Sequence, residues 1–453
     1  MNYGVHSKNI ETKIDLLFSE ILQEQQKINS IQEGDEDKKH LIEGLLADFT
    51  DFRGRGFFYN YLSSGKGHGP FTQLVDGSVK YDLISAIGVN LLGHSHPLYI
   101  RAHLESTTSD VVMCGNLLPY QEAHQLSKQI IGQVKESRLK HFWFSGSGSF
   151  ANDTALKMIW QNKAPNYKIL AFDKAFAGRS VATQELTHNP AYRDGMPSYI
   201  EVDHIPYFDY QNPEESANIT IAAMEEHFQE SGPYAAIMME LIQGEGGFIY
   251  GTKEYYQKVL SWAKDHNLFV WIDEIQTFGR TTELFAFQMF ELDKYVDVVT
   301  VGKALQCCGV LFSDELNPKP GLIAGTFNGS LVSLNAASKT IRYLSEGNFY
   351  GPYGRVKELE NAFLSSLKAL SHKSCRNKIS YCGGIGTMIS FEVGDSSKEI
   401  TVQFIKKLYT NGVVAFMAGN NPTRVRFLLP LCLTDQHISE IISIIEKTAL
   451  ETL

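Results

Sequence analysis

The chain has 453 residues, 43% apolar and 20% charged, with a formal net charge of −10. That length implies two or three packed units, the absence of a basic block argues against a nucleic-acid partner, and no apolar run is long enough to span a bilayer. Six cysteines without a Cys-x-x-Cys pair and an N-terminus lacking a signal-peptide core lead us to expect a reduced protein of the cytoplasm.

Residues 10–30 repeat apolar side chains at helical spacing (Ile10, Ile14, Leu17, Ile21, Leu22), which predicts a helix. The charged "QEGDEDKK" at 32–39 ends it, and "HLIEGLLADF" predicts a second, shorter one. Residues 1–56 thus read as an N-terminal helical extension. "QLVDGSVKYDLIS" predicts a hairpin turning at Asp76-Gly77, within a segment, 57–110, that we assign to a smaller domain.

The texture changes over 111–345. "HFWFS", "KILAFD", "YAAIMME", "LFVWID" and "VDVVTV" are short apolar runs, with helical stretches such as "FANDTALKMIWQNKA" and "TKEYYQKVLSWAKDH" between them. Alternating strands and helices predict an α/β domain with a mostly parallel sheet covered on both faces. From 346 to 453, helices alternate with "TMISFEV", "VVAFMA" and "RVRFLLP", the pattern of a smaller α+β domain.

In parallel sheets ligands bind beyond the carboxyl ends of the strands, so the residue ending each run is a candidate. "HFWFS" leads into Ser145-Gly146-Ser147-Gly148-Ser149 and a helix from about Phe150, a small-residue loop suited to a phosphate. The same loop fits a loose dinucleotide turn, with Asp173 for a ribose hydroxyl. "KILAFD" leads to Phe176, a ring that could stack on a flat cofactor, and Arg179, which could clamp a carboxylate. "YAAIMME" leads to Glu240, Gln243 and Glu245. "LFVWID" ends in Asp273, whose burial calls for a cationic partner; Arg280 is one nearby choice. "VDVVTV" ends in Gly302-Lys303. Cys307 and Cys308 read as small buried hydrophobes, and His94 and His96 as part of a turn before a helix rather than as metal ligands; no metal is expected.

One chemistry uses these groups together. A phosphate cradle, a stacking ring, a carboxylate for a pyridinium nitrogen, an amine able to condense with an aldehyde, and arginines for substrate carboxylates are the needs of pyridoxal 5′-phosphate (PLP). A dinucleotide oxidoreductase would leave Asp273, Lys303 and Arg426 without a joint role, whereas a PLP-binding relative without turnover, or another PLP reaction class, would share the machinery.

The order of "YDLISAIGVNLLGHSHP", "FSGSGSFANDTALK", "AFAGRS", "MMELIQGEGG", "IDEIQTFGRT", "VGKALQ", "GTFNGS" and "RVRFLLPL" resembles the class III aminotransferases of PLP fold type I, over roughly residues 57–450. "GKALQCCGV" and Phe176-x-Gly-Arg179 look most like the lysine 6-aminotransferase branch, which lies close to the ornithine, acetylornithine and 4-aminobutyrate enzymes. The resemblance implies that Lys303 carries PLP, Asp273 pairs with the ring nitrogen and Gln276 bonds the phenolic oxygen. Gly148 and Ser149 would bind the phosphate, Phe176 would stack on the ring, and Thr326 would reach the phosphate of a second subunit, making the active unit a homodimer. Arg179 and Arg426 would bind substrate carboxylates, with Glu245 pairing Arg426 when a monocarboxylic donor is bound. The implied reaction moves a terminal amino group, from L-lysine, to 2-oxoglutarate. The chain departs from the family at Phe150 and Asp153, at Leu241 and Leu429, at Phe278 and at Asn328-Gly329-Ser330. Phe150 and the loop near Phe278 bear on the substrate entrance.

Overall fold

The computed structural model describes residues 7–109 and 120–453 in two compact units, Met1–Ser109 with Glu358–Leu453, and Asp110–Lys357. Among the described residues no helix is long and apolar enough to cross a membrane.

In the first unit two 18-residue helices, Lys8–Gln25 and Glu36–Arg53, form the N-terminal extension; the first stops at Gln25, short of the predicted residue 30, and the second is longer than predicted, starting inside the charged run at 32–39. Side-chain caps set their starts: Ser7 accepts from the Ile10 amide and Asp35 from the Asp37 amide. Gly54, at φ 81°, ends the second in the left-handed region that glycine adopts without penalty. The expected hairpin forms from Phe71–Leu74 and Val79–Asp82, and the Asp76 carboxylate accepts from the Ser78 amide at 2.9 Å across the turn. His94 Nε2 meets Asp82 at 2.8 Å, and His96 caps the helix Pro97–Ser106. "VVAFMA" is two strands rather than one. Val413–Val414 pairs with Val79–Asp82, and Phe416–Ala418 with Arg424–Leu428 in a second sheet; between them the Ala415 carbonyl accepts from the Tyr59 hydroxyl.

The second unit is built on a seven-stranded sheet: β1 (Leu139–Ser145), β2 (Ile169–Phe172), β3 (Val202–Ile205), β4 (Ala236–Met239), β5 (Phe269–Glu274), β6 (Val298–Val301) and β7 (Cys308–Ser313). The spatial order is β1-β7-β6-β5-β4-β2-β3. Only β7 runs against its neighbours, being antiparallel to both β1 and β6. The five apolar runs are β1, β2, β4, β5 and β6; β3 and β7 were not predicted as strands. β3 reads "VDHI", with polar residues at half-buried positions. β7 begins so soon after β6 that the two read as one segment broken by a lysine. Every residue of β2, β4, β5 and β6 is buried, as expected of central strands covered on both faces.

The parallel pairing aligns the carboxyl ends of β5 and β6, with Asp273 opposite Thr300. β6 is anchored at its other end by Asp297, which is fully buried. That carboxylate accepts from the Val270 amide at 2.8 Å and pairs with Arg138 at 2.8 Å and Lys264 at 2.7 Å. Because both cations retain water access, Asp297→Ala should cost about 3 kcal/mol, the low end for breaking a buried pair. Urea unfolding measures this; a loss below about 1 kcal/mol would contradict the anchoring role.

Candidate active site

A cavity of about 230 Å³ opens at the carboxyl edge of the sheet, lined by Ser147, Gly148, Ser149, Asn152, Phe176, Ala177, Gly178, Glu240, Glu245, Asp273, Ile275, Gln276, Lys303 and Cys308. Each comes from the end of a strand or the start of the following segment. The helix Gly148–Lys163 starts two residues earlier than expected, at Gly148, because the Ser147 side chain caps it by accepting from the Phe150 amide. The amides of Gly148 and Ser149 therefore sit in the first turn, where a helix cannot satisfy its own donors. The positive end of its dipole points the same way. A Cβ on Gly148 would lie 3.1 Å from Ile275 Cγ2, so the close approach of this turn to Ile275 favours glycine.

Asp273 is 6% exposed at the end of β5. Its carboxylate accepts from Asn152 Nδ2 at 2.7 Å and from the Ile275 amide at 2.8 Å. Burial pushes this carboxyl up to about 6, while the Asn152 bond, the Ile275 amide and the charge of Lys303 hold it down. No bond to Arg280 is involved; the cation acting on Asp273 is Lys303. Lys303 follows Gly302 beyond β6 and has φ 46°. That left-handed conformation is unfavourable for a residue with a Cβ and is found most often where function requires it.

Two more carboxyls lie close by. Glu240 bridges two loops, its Oε1 accepting from the Phe176 amide at 2.9 Å and its Oε2 from the Gly244 amide at 3.0 Å. Burial, and then the charge of Asp273, push it up to about 8. Glu274, fully buried, accepts from the Phe287 amide at 2.9 Å and from the Thr277 hydroxyl, and burial pushes it up to about 7.

Of the residues predicted from sequence, Gly148, Ser149, Phe176, Glu245, Asp273, Gln276 and Lys303 line this one cavity. Arg179 does not line it; its guanidinium is 5.7 Å from the centroid of Phe176, which does. Thr326 is exposed beside a separate depression shared with Ser145, Gly146 and Phe150. Arg426 belongs to the first unit, buried on the strand Arg424–Leu428. Asp173, the candidate ribose ligand, instead lies 3.3 Å from His188. Five lining residues were not singled out from the sequence as site residues: Asn152, Ala177, Gly178, Ile275 and Cys308. Asn152 bonds both Asp273 and the Ala177 carbonyl, each at 2.7 Å; its position one helical turn after Gly148 was the available signal. Cys308 is half-buried and lines the cavity rather than packing as a core residue.

The space suits a small phosphorylated ring. The buried Gln276 Oε1 has no hydrogen-bond partner among the described residues, leaving a polar atom for a ligand. A Cβ on Gly244 would stand 2.6 Å from that oxygen. With a carboxylate, an amine, a ring and two helix-terminal amides around one space, the donor set fits PLP.

Fold and cavity together define a PLP-dependent enzyme of fold type I. The family model for class-III aminotransferases matches residues 58–449, and the chain belongs to that family; its cofactor is pyridoxal 5′-phosphate. Among its relatives, an acetylornithine aminotransferase of Bacillus cereus is 29% identical over 397 residues, covering 84% of this chain and 93% of the relative. A Bacillus subtilis protein named "Probable 4-aminobutyrate aminotransferase" is 30% identical over 406 residues, covering 84% and 91%. Among solved structures, a lysine aminotransferase from M. tuberculosis superposes with TM-score 0.79 at 20% identity, over 90% of this chain and 100% of that one. The ornithine aminotransferase from Toxoplasma gondii gives TM-score 0.79 at 20% identity, over 90% and 95%.

A carboxyl raised by folding keeps its proton where the unfolded chain has lost it. For Glu240, normally near 4.5, that stabilising contribution is complete below its ordinary value and is lost as pH rises through about 8. The Tm of the cofactor-free protein should therefore fall between about pH 6 and about pH 9 more steeply than that of Glu240→Gln. Differential scanning fluorimetry at both ends tests this, and parallel slopes would exclude Glu240 as the titrating group.

Proposed function

We propose that this aminotransferase moves a terminal amino group from a monocarboxylic amino-acid donor, L-lysine, to 2-oxoglutarate, yielding glutamate and an aldehyde. The observation that carries the catalytic part is that Asp273 and Lys303 line one cavity with Gly148, Ser149, Phe176, Gln276 and Glu245. The lysine donor is supported by "GKALQCCGV" and Phe176-x-Gly-Arg179. The likeness to an acetylornithine aminotransferase supports a second reading, in which the donor is acetylornithine or a related ω-amine.

When bound, PLP supplies an aldehyde that captures the amine and a ring that accepts the electron pair from the carbon bearing it. Lys303 holds the cofactor through its amine, and Asp273 holds the ring nitrogen. Asn152 keeps Asp273 oriented and ionised, because its amide donates to the charged form. Gly148 and Ser149 cradle the phosphate, Phe176 covers one ring face and Gln276 bonds the phenolic oxygen. With the donor in place, Lys303 Nζ would serve as the base that takes the proton from the donor's amine-bearing carbon. Arg179 binds the donor carboxylate. Arg426 binds the second carboxylate of 2-oxoglutarate or glutamate, and Glu245 neutralises it when the donor has only one, since an unpaired buried arginine is costly.

The working unit is a homodimer in which Thr326 reaches the neighbouring phosphate; the exposure of Thr326 and Phe327 supports a partner there. A reducing cytoplasm suits the five cysteines among the described residues, none of which is in a disulfide.

Borohydride treatment of the yellow protein should fix the cofactor on the peptide containing Lys303, and mass spectrometry finding it elsewhere would overturn the assignment. Lys303→Ala should abolish transamination while retaining some non-covalent PLP. Arg426→Ala should weaken the half-reaction with glutamate on the order of 30-fold more than that with lysine; equal losses would rule out the switch. Mixing the enzyme with lysine, ornithine, acetylornithine and 4-aminobutyrate, and following the loss of cofactor absorbance, identifies the donor.

A further inference from the structure

Arg179 has a support that neither the sequence motif nor the cavity lining reveals. Its Cζ lies 3.6 Å from the centroid of the Tyr192 ring, so the guanidinium sits directly over an aromatic face. The Tyr192 ring in turn meets the Phe176 ring edge-on, with centroids 6.1 Å apart and planes at 89°. Arginine, tyrosine and phenylalanine thus form one contiguous cluster, and Phe176 lines the cavity.

The chain around Tyr192 is built to hold that position. Tyr192 ends a short turn, Pro190–Tyr192, capped by Asn189, whose side chain accepts from the Ala191 amide at 3.1 Å. The preceding residues are fastened to the loop carrying Phe176 and Arg179. The His188 amide donates to the Ala175 carbonyl at 2.9 Å, and the Ala177 amide to Thr187 Oγ1 at 2.9 Å. Next door, Arg193 donates to the Thr187 carbonyl at 2.7 Å and lies 3.4 Å from Glu185. On the other side, the Arg179 amide donates to Ser149 Oγ at 3.0 Å, tying the arginine backbone to the first turn of the helix Gly148–Lys163.

We infer that Tyr192 is a positioning residue for donor recognition, holding the Arg179 guanidinium in the plane where it grips the donor carboxylate. The inference rests on the reading of Arg179 as the donor-carboxylate site. A guanidinium stacked by its face keeps its N–H donors pointing outward in its own plane, the geometry that a bidentate carboxylate requires. Arg179 is exposed, and without the ring its long side chain would sample many rotamers. The tyrosine removes that freedom before the donor arrives, so less of the binding free energy is lost to ordering.

The test is a cycle of holoenzymes: wild type, Tyr192→Leu, Arg179→Ala and the double variant, assayed with the donor identified by the amine panel, L-lysine on the present reading. Tyr192→Leu should raise KM about fivefold, the worth of an arginine–ring stack, with kcat within about twofold. Tyr192→Phe, which keeps the ring, should recover most of that loss. Tyr192→Gln, which has no ring but suits a half-buried site, should match Tyr192→Leu and serves if the leucine variant does not fold. In the Arg179→Ala background, Tyr192→Leu should change KM by less than about twofold. An equal rise in both backgrounds, a KM insensitive to Tyr192, or a fall in kcat alone would overturn the inference. An unchanged KM in Arg179→Ala itself would instead refute the reading of Arg179.

Discussion

A carboxylate at the end of a wholly buried strand must be met by hydrogen-bond donors and a positive charge, and the second unit is organised around meeting Asp273. β5 is buried along its whole length, so the carboxyl at its end gains little from water. Asn152 and the Ile275 amide supply donors, and the charge of Lys303 acts from the end of the adjacent strand. These contributions only partly offset the cost of burial, and the carboxyl stays raised to about 6. That residual cost favours a cationic ligand. On the proposed reading, a protonated ring nitrogen would supply the missing charge and keep Asp273 ionised.

The same arithmetic extends outward. Glu240 and Glu274 are also buried and also raised, and the charge of Asp273 contributes to both. Three carboxyls this close cannot all ionise cheaply. Each is therefore used as an acceptor for loop amides: Asp273 for Ile275, Glu240 for Phe176 and Gly244, Glu274 for Phe287. Two of the segments that line the cavity, at Phe176 and at Ile275, are thus held by the lining acids Glu240 and Asp273. Phe176 is fixed at its backbone by Glu240, and its ring meets Tyr192 in a T-shaped contact.

Membership of the class-III aminotransferases accounts for the cofactor and the general reaction, but the surroundings of the cavity bear on the choice of donor. Phe150 is 61% exposed and borders the same depression as Thr326, at a position where the family pattern usually carries an acid. An apolar ring there alters what approaches the helix Gly148–Lys163 from outside without touching Asp273 or Lys303.

Much of this was written along the chain. The apolar runs marked five of the seven strands, because a strand buried on both faces must be apolar throughout. The residue closing each run marked the site, because parallel strands bring their carboxyl ends to one edge. The half-polar edge strand β3 carried no such mark, and the apolar β7 follows β6 too closely to be separated from it by pattern. Pattern reading also missed Asn152, whose role depends on the face its helix turns toward Asp273, and Tyr192, which meets Arg179 only because the segment from 187 to 193 folds back on the loop before it. Local order along the sequence thus determined which residue types end each strand; only tertiary folding decided which of them share a cavity, because burial and facing are properties of packed neighbours rather than of sequence spacing.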